Sequence, residues 1–162
     1  MRLAALLLLA AVPAGCGGGG DEVAEDHAVP QLEQQRDDVR GLATDLAESL
    51  GSWGAVTESW GRYEGCDSAF NDVYRTFRYL ARLRLDAAPD HPLDPILQAA
   101  GLTRDDAASE PDKLRATRGD LSVSFWTPPA GGLLVTVQGP CVDVPEDARA
   151  DWTRRGSREQ LA

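Results

Sequence analysis

Histidine is scarce in this 162-residue chain, occurring only as His27 and His91, and lysine is scarcer, with Lys113 alone among sixteen basic residues. Three cysteines are present, none in Cys-x-x-Cys spacing, and aromatic residues number ten. Each shortage removes a class of chemistry. A Ser-His-Asp or Cys-His centre needs a histidine positioned by a fold. His27 sits in a glycine-rich, acidic stretch, so only His91 is left. Closely spaced thiols for redox catalysis or zinc thiolates are missing. No glycine-rich loop follows a strand to cradle phosphate. The cluster Asp86, Asp90, His91 and Asp94 has no metal-loop spacing, and turn and capping roles account for each member. Asp105-Asp106 and Glu146-Asp147 read as solvated loop charges, because paired catalytic carboxylates must oppose each other across a cleft. The expectation is a protein without catalytic residues, metal or cofactor.

Long apolar runs are also lacking, with one exception at the start. Met1-Arg2 leads into Leu3–Val12, ten nearly unbroken apolar residues. A membrane-spanning helix needs about 20, so the run reads as a signal peptide. It ends in Pro13-Ala14-Gly15-Cys16 and four glycines. Ala14-Gly15-Cys16 resembles a bacterial lipoprotein lipobox, with Pro13 where leucine is usual. The resemblance implies diacylglycerol on the Cys16 sulfur, cleavage before Cys16, and anchoring in the cell membrane on its extracytoplasmic face. Two or more acyl chains give stable anchoring where a single chain is marginal. Ordinary secretory cleavage, yielding a secreted protein, is the alternative.

This divides the chain into a signal peptide (1–15), a flexible Gly/acidic tether (16–29), a single α+β domain (30–150) and a frayed tail (151–162). The formal net charge is −10, or −11 once the leader and its Arg2 are removed. Such a balance argues against nucleic acid, which requires clustered Lys and Arg to neutralise phosphates. It also argues against lying flat on anionic lipid. With Cys16 acylated, Cys66 and Cys141 remain in an oxidising compartment, where a disulfide is expected and two free thiols are the alternative.

Leu32, Val39, Leu42, Leu46 and Leu50 share one face of a helix expected over 31–50, stopped by Gly51. Val56–Tyr63 reads as a bulged or edge strand interrupted by Gly61. Val73–Leu85 alternates: Val73, Phe77, Tyr79, Ala81, Leu83 and Leu85 face one way, broken only by Arg75, and Tyr74, Thr76, Arg78, Leu80, Arg82 and Arg84 the other. Asp94-Pro95 opens a short helix ending at Gly101, and Thr103–Asp112 reads as an acidic loop. Leu121–Trp126 and Leu133–Gln138 form a hairpin around Pro128–Gly132, in a register pairing 125 with 135 and 126 with 134. Gly139-Pro140 ends it, and a short helix is expected near Pro145–Arg149. The expected fold is a two-layer α/β sandwich in the order helix-strand-strand-helix-strand-strand, a four-stranded antiparallel sheet with its helices on one face. That order, the lipobox-like leader, Cys66 and the closing Gly-Pro-Cys resemble small uncharacterised lipoproteins of actinobacteria over most of residues 1–142. That group's name implies no activity.

Function is expected to be that of a binding or interaction domain displayed on the cell envelope. Its candidate face carries Tyr74, Arg78, Arg82 and Arg84 beside Trp126 and Leu134, able to receive an acidic envelope protein or an anionic wall polymer. Arginines paired with the protein's own carboxylates would remove that face. The alternative is an assembly subunit docking through helix 31–50 to an envelope complex. An envelope enzyme built around His91 comes last.

Overall fold

The computed structural model describes residues 22–67, 73–88 and 92–161, with side chains from His27 onward. Cys16 and the leader, together with Asp90 and His91, lie outside the described residues. The elements are α1 (Glu22–Leu50), β1 (Val56–Gly65), β2 (Thr76–Leu85), α2 (Asp94–Ala99), β3 (Thr103–Arg104), β4 (Lys113–Arg118), β5 (Leu121–Trp126), β6 (Leu133–Gln138), β7 (Val142–Asp143), α3 (Arg149–Arg154) and β8 (Glu159–Gln160). All eight strands join one antiparallel sheet in the order β3-β4-β5-β6-β2-β1-β8, with β7 also paired to β2. The expected four-stranded sheet in a two-layer sandwich is therefore overturned. Among the described residues, half of the strands lie outside that expectation, and the short helix expected near Pro145–Arg149 appears as α3, at Arg149–Arg154.

The β5–β6 hairpin has the expected register, Phe125 opposite Val135 and Trp126 opposite Leu134. Burial alternates along both strands because odd positions turn to the core and even positions away from it. β4 extends this hairpin through Arg118-Gly119-Asp120-Leu121, with Gly119 at φ 57° supplying the turn. Only Leu114 and Ala116 mark the core side of β4, too few to stand out as an alternating pattern. The supposed acidic loop 103–112 holds β3, two residues long and paired with β4.

α1 lays Val39, Leu42, Ala43, Leu46 and Leu50 on the sheet, where they pack with Tyr79, Leu83, Val123, Phe125 and Val135. The helix begins at Glu22, inside the segment expected to be tether, and includes Pro30. Ala28, 4% exposed, and Leu32 continue the apolar stripe into a second cluster with Phe77, Val142, Val144 and Trp152. That burial supports the turn before Pro30, whose missing N–H and ring would otherwise break the helix. Gln35 is the polar member of the stripe. Between β6 and β7 the ladder on β2 is interrupted at Gly139-Pro140. There Gln35 Oε1 accepts the Tyr79 N–H (2.5 Å) and Gln35 Nε2 donates to the Pro140 carbonyl (2.8 Å). Gly139 leaves room for this amide, since a Cβ there would overlap it.

Gly61, which looked like a strand interruption, sits inside β1 opposite Ala81. The Tyr79 hydroxyl occupies the space a side chain at 61 would fill. Cys66 and Cys141 form a disulfide with Cα atoms 6.1 Å apart. It joins the end of β1 to the break after β6 and constrains the unfolded chain by about 4 kcal/mol as an upper value.

Residues 151–161, within the tail expected to fray, are part of the fold. Trp152 is 2% exposed against Tyr63 and Phe77, and Leu161 is 3% exposed in the main core. β8 pairs with β1, and Glu159 locks it down. Arg36 donates to both Glu159 oxygens (2.8 and 2.6 Å), Arg40 lies 3.2 Å away, and the buried Tyr79 hydroxyl donates to Oε1 (2.5 Å). Mainly through the Arg36 hydrogen bonds, the Glu159 carboxyl is pulled down to about 2. Burial, and then the Glu159 contact, push the Tyr79 phenol up.

Candidate functional site: the open face of the sheet

Side chains alternate across a strand, so every core residue has neighbours on the opposite face. There β1 contributes Glu58, Trp60, Arg62 and Glu64, and β2 contributes Arg78, Leu80, Arg82 and Arg84. β6 adds Leu134, Thr136 and Gln138; β5 adds Ser122, Ser124 and Trp126; β4 adds Lys113, Arg115 and Thr117. The helices contribute their buried residues to the two core clusters on the other side. In a chain of 16 basic and 26 acidic residues, this face reverses the balance. Arg62, Arg78, Arg82, Arg84, Lys113 and Arg115 share it with Glu58 and Glu64.

Cross-strand register sorts these groups into rows. One row runs Trp60, Arg82, Thr136, Ser124, Arg115 across five adjacent strands. The small hydroxyl residues in the middle leave a depression between the two arginines. The resulting concavity, about 340 Å³, is lined by Arg82, Asp105, Lys113, Arg115, Thr117, Ser122, Ser124, Thr136 and Gln138. Asp105 is engaged locally, its Oδ1 accepting the Ala108 N–H. The Nε groups of Arg82 and Arg115 are buried and have no hydrogen-bond partner among the described residues, and neither guanidinium lies in a salt bridge there. Arg82 stacks 5.3 Å from the Trp60 ring centroid, and Arg62 and Arg158 lie at 5.5 and 4.1 Å from the same ring. Trp60 thus holds three cations side by side that would otherwise repel one another.

The next row along the strands runs Arg84, Leu134, Trp126, Lys113. Arg84, Trp126 and Leu134 line a smaller, apolar notch of about 220 Å³ with Pro128 and the hairpin turn. Trp126 Nε1 donates to Asp112 Oδ2 (3.1 Å), which fixes the orientation of the indole.

Of the six residues expected to form one face, the structure brings together Arg82, Arg84, Trp126 and Leu134. Arg78 is there too, but it donates to Glu64 Oε1 from Nε (3.0 Å) and Nη2 (2.7 Å), so its charge is neutralised within the protein. Tyr74 is not on the face. It precedes β2, where alternation does not apply, and its ring packs edge-on to Phe77 at 6.0 Å and over Gly65. Arg115, Lys113 and Trp60 were missed. Arg115 and Lys113 lie on the strand whose alternation is faint, and Trp60 required the β1–β2 register to be placed beside Arg82.

A larger concavity of about 630 Å³ lies beside β8, where Arg36, Arg62, Arg155 and Arg158 meet Glu33, Asp37 and Glu159. Its charges oppose one another, and Arg36 is committed to Glu159. The open-face cleft, with two uncommitted guanidiniums over hydroxyls, is the better ligand site. No group of three or more His, Cys, Asp or Glu able to hold a metal occurs among the described residues. No helix among them is long and apolar enough to cross a membrane. Compared with protein-family models, curated proteins and solved structures, the chain matches none.

Proposed function

We propose that this protein is a binding domain, lipid-anchored through Cys16 on the outer side of the cell membrane, that receives an anionic envelope ligand on its open sheet face. The observation that carries this reading is the cleft between Arg82 and Arg115. Two guanidiniums without carboxylate partners border a floor of hydroxyl side chains, a donor-rich arrangement suited to an oxyanion. The Cys66–Cys141 disulfide supports an oxidising location. Docking through the leucine stripe of α1 has no such support, since Val39, Leu42 and Leu46 are fully buried against the sheet.

The reading is tested by crosslinking the full chain in native envelopes and measuring binding of the captured polymer to the purified protein. Arg82→Ala with Arg115→Ala is expected to lower affinity at least tenfold, with binding weakening as salt rises. Unchanged affinity in that double variant overturns the reading. Mass spectrometry showing an unmodified Cys16 thiol in the mature protein overturns the anchoring.

A further inference from the structure

The polar cleft and the apolar notch occupy successive rows of the same strands. Ser124 and Trp126 are two residues apart on β5, as are Arg82 and Arg84 on β2 and Thr136 and Leu134 on β6. Two residues along a strand span about 6.6 Å, so one ligand can occupy both depressions. We propose that the two form a bipartite site for a phosphodiester-linked sugar polymer, with the phosphate between Arg82 and Arg115 and a sugar ring against Trp126. This rests on the anion-binding reading above and specifies its ligand.

Three features select this chemistry. A phosphodiester offers two non-bridging oxygens sharing one negative charge, which planar guanidiniums can take from opposite sides while Ser124 and Thr136 donate from below. The neutral groups around the cleft, Ser122, Thr117 and Gln138, both donate and accept. They match sugar hydroxyls better than an acidic peptide, whose side chains accept only. The notch presents an indole, held at its Nε1 by Asp112, with Leu134 and Pro128 beside it. Such a wall suits the apolar C–H face of a sugar ring, while the ring's hydroxyls remain in water. Arg84, exposed and without an ion pair among the described residues, borders the notch and stands ready for the next phosphate along a repeating chain.

The test uses the full chain and two probes, a glycerol-phosphate oligomer and the same oligomer carrying glucosyl substituents, by calorimetry at low salt. The glucosylated probe is expected to bind about fivefold to tenfold more tightly. Trp126→Ala should abolish that preference, and Trp126→Phe should retain most of it. Arg82→Ala with Arg115→Ala should weaken both probes at least tenfold. Ser124→Asp, which places a carboxylate on the cleft floor without removing the arginine stacking, should do the same. Equal affinity for the two probes, or a preference that survives Trp126→Ala, overturns the bipartite site while leaving the anion reading intact. Indifference of both probes to the arginine and Ser124 variants, or no binding of either, overturns both. A poly-glutamate peptide or a thymidine oligonucleotide binding as tightly as the glucosylated probe overturns the assignment to sugar polymers.

Discussion

The two faces of the sheet come from the same strands and differ in what their side chains are committed to. On the covered face, every contact is internal: Phe125, Val135 and Leu83 are at most 2% exposed and meet the α1 stripe. On the open face the neighbouring residues Ser124, Thr136 and Arg82 are only half-buried, and the Nε groups of Arg62, Arg82 and Arg115 have nothing to donate to among the described residues. Packing explains the first face fully. The second satisfies its own groups only in part, through Glu64 on Arg78 and Trp60 beneath three guanidiniums. A surface that a fold leaves unsatisfied is where a ligand gains most.

This contrast can be broken by substitution. The largest effect is expected at Phe125→Ala, which should cost about 3–5 kcal/mol in urea unfolding because the rigid sheet and α1 cannot close the cavity. Gln35→Leu should cost about 2 kcal/mol. It leaves the buried Tyr79 N–H without its acceptor and takes the donor from the Pro140 carbonyl, on the covered face of the sheet. Acid provides a third probe. The folded Glu159 carboxyl, held at about 2 against an ordinary value of 4.5, favours the native state above pH 4.5, and that contribution disappears as pH falls from 4.5 toward 2. Glu159→Gln should flatten the stability profile across that window, as read by thermal melts at stepped pH. The smallest effect is expected one residue from the first site. Ser124→Ala should change stability by less than about 0.5 kcal/mol, and a loss as large as that of Phe125→Ala would remove the distinction between the faces.

Much of this arrangement was legible in the chain, and the failures have definite causes. The β5–β6 hairpin could be registered residue by residue because both strands alternate strictly and the connecting turn is rich in Pro and Gly. β4 was missed because Lys-Leu-Arg-Ala-Thr-Arg places only one large apolar side chain toward the core. β3, β7 and β8 are two residues each, too short for any periodicity, and exist only because a longer strand offers them an edge. The tail carries no local sign of order because its Trp152, Glu159 and Leu161 follow no repeating pattern. Their partners, Tyr63, Arg36 and the core, lie about a hundred residues away in sequence. Faint alternation on β4 hid Arg115 from the candidate site, and Tyr74 was placed wrongly within it because it precedes β2, where alternation does not apply.

Local pattern alone determined the amphipathic helix, the β5–β6 hairpin and the segregation of arginine from most apolar residues on β2. These depend on spacings of two to four residues, which any reader of the chain can count. Strand order, the closing of the sheet by β8, and the meeting of Arg82 with Arg115 over a hydroxyl floor were decided only in three dimensions. They arise where backbone hydrogen bonds join segments far apart in the chain, and no local spacing records which strand becomes whose neighbour.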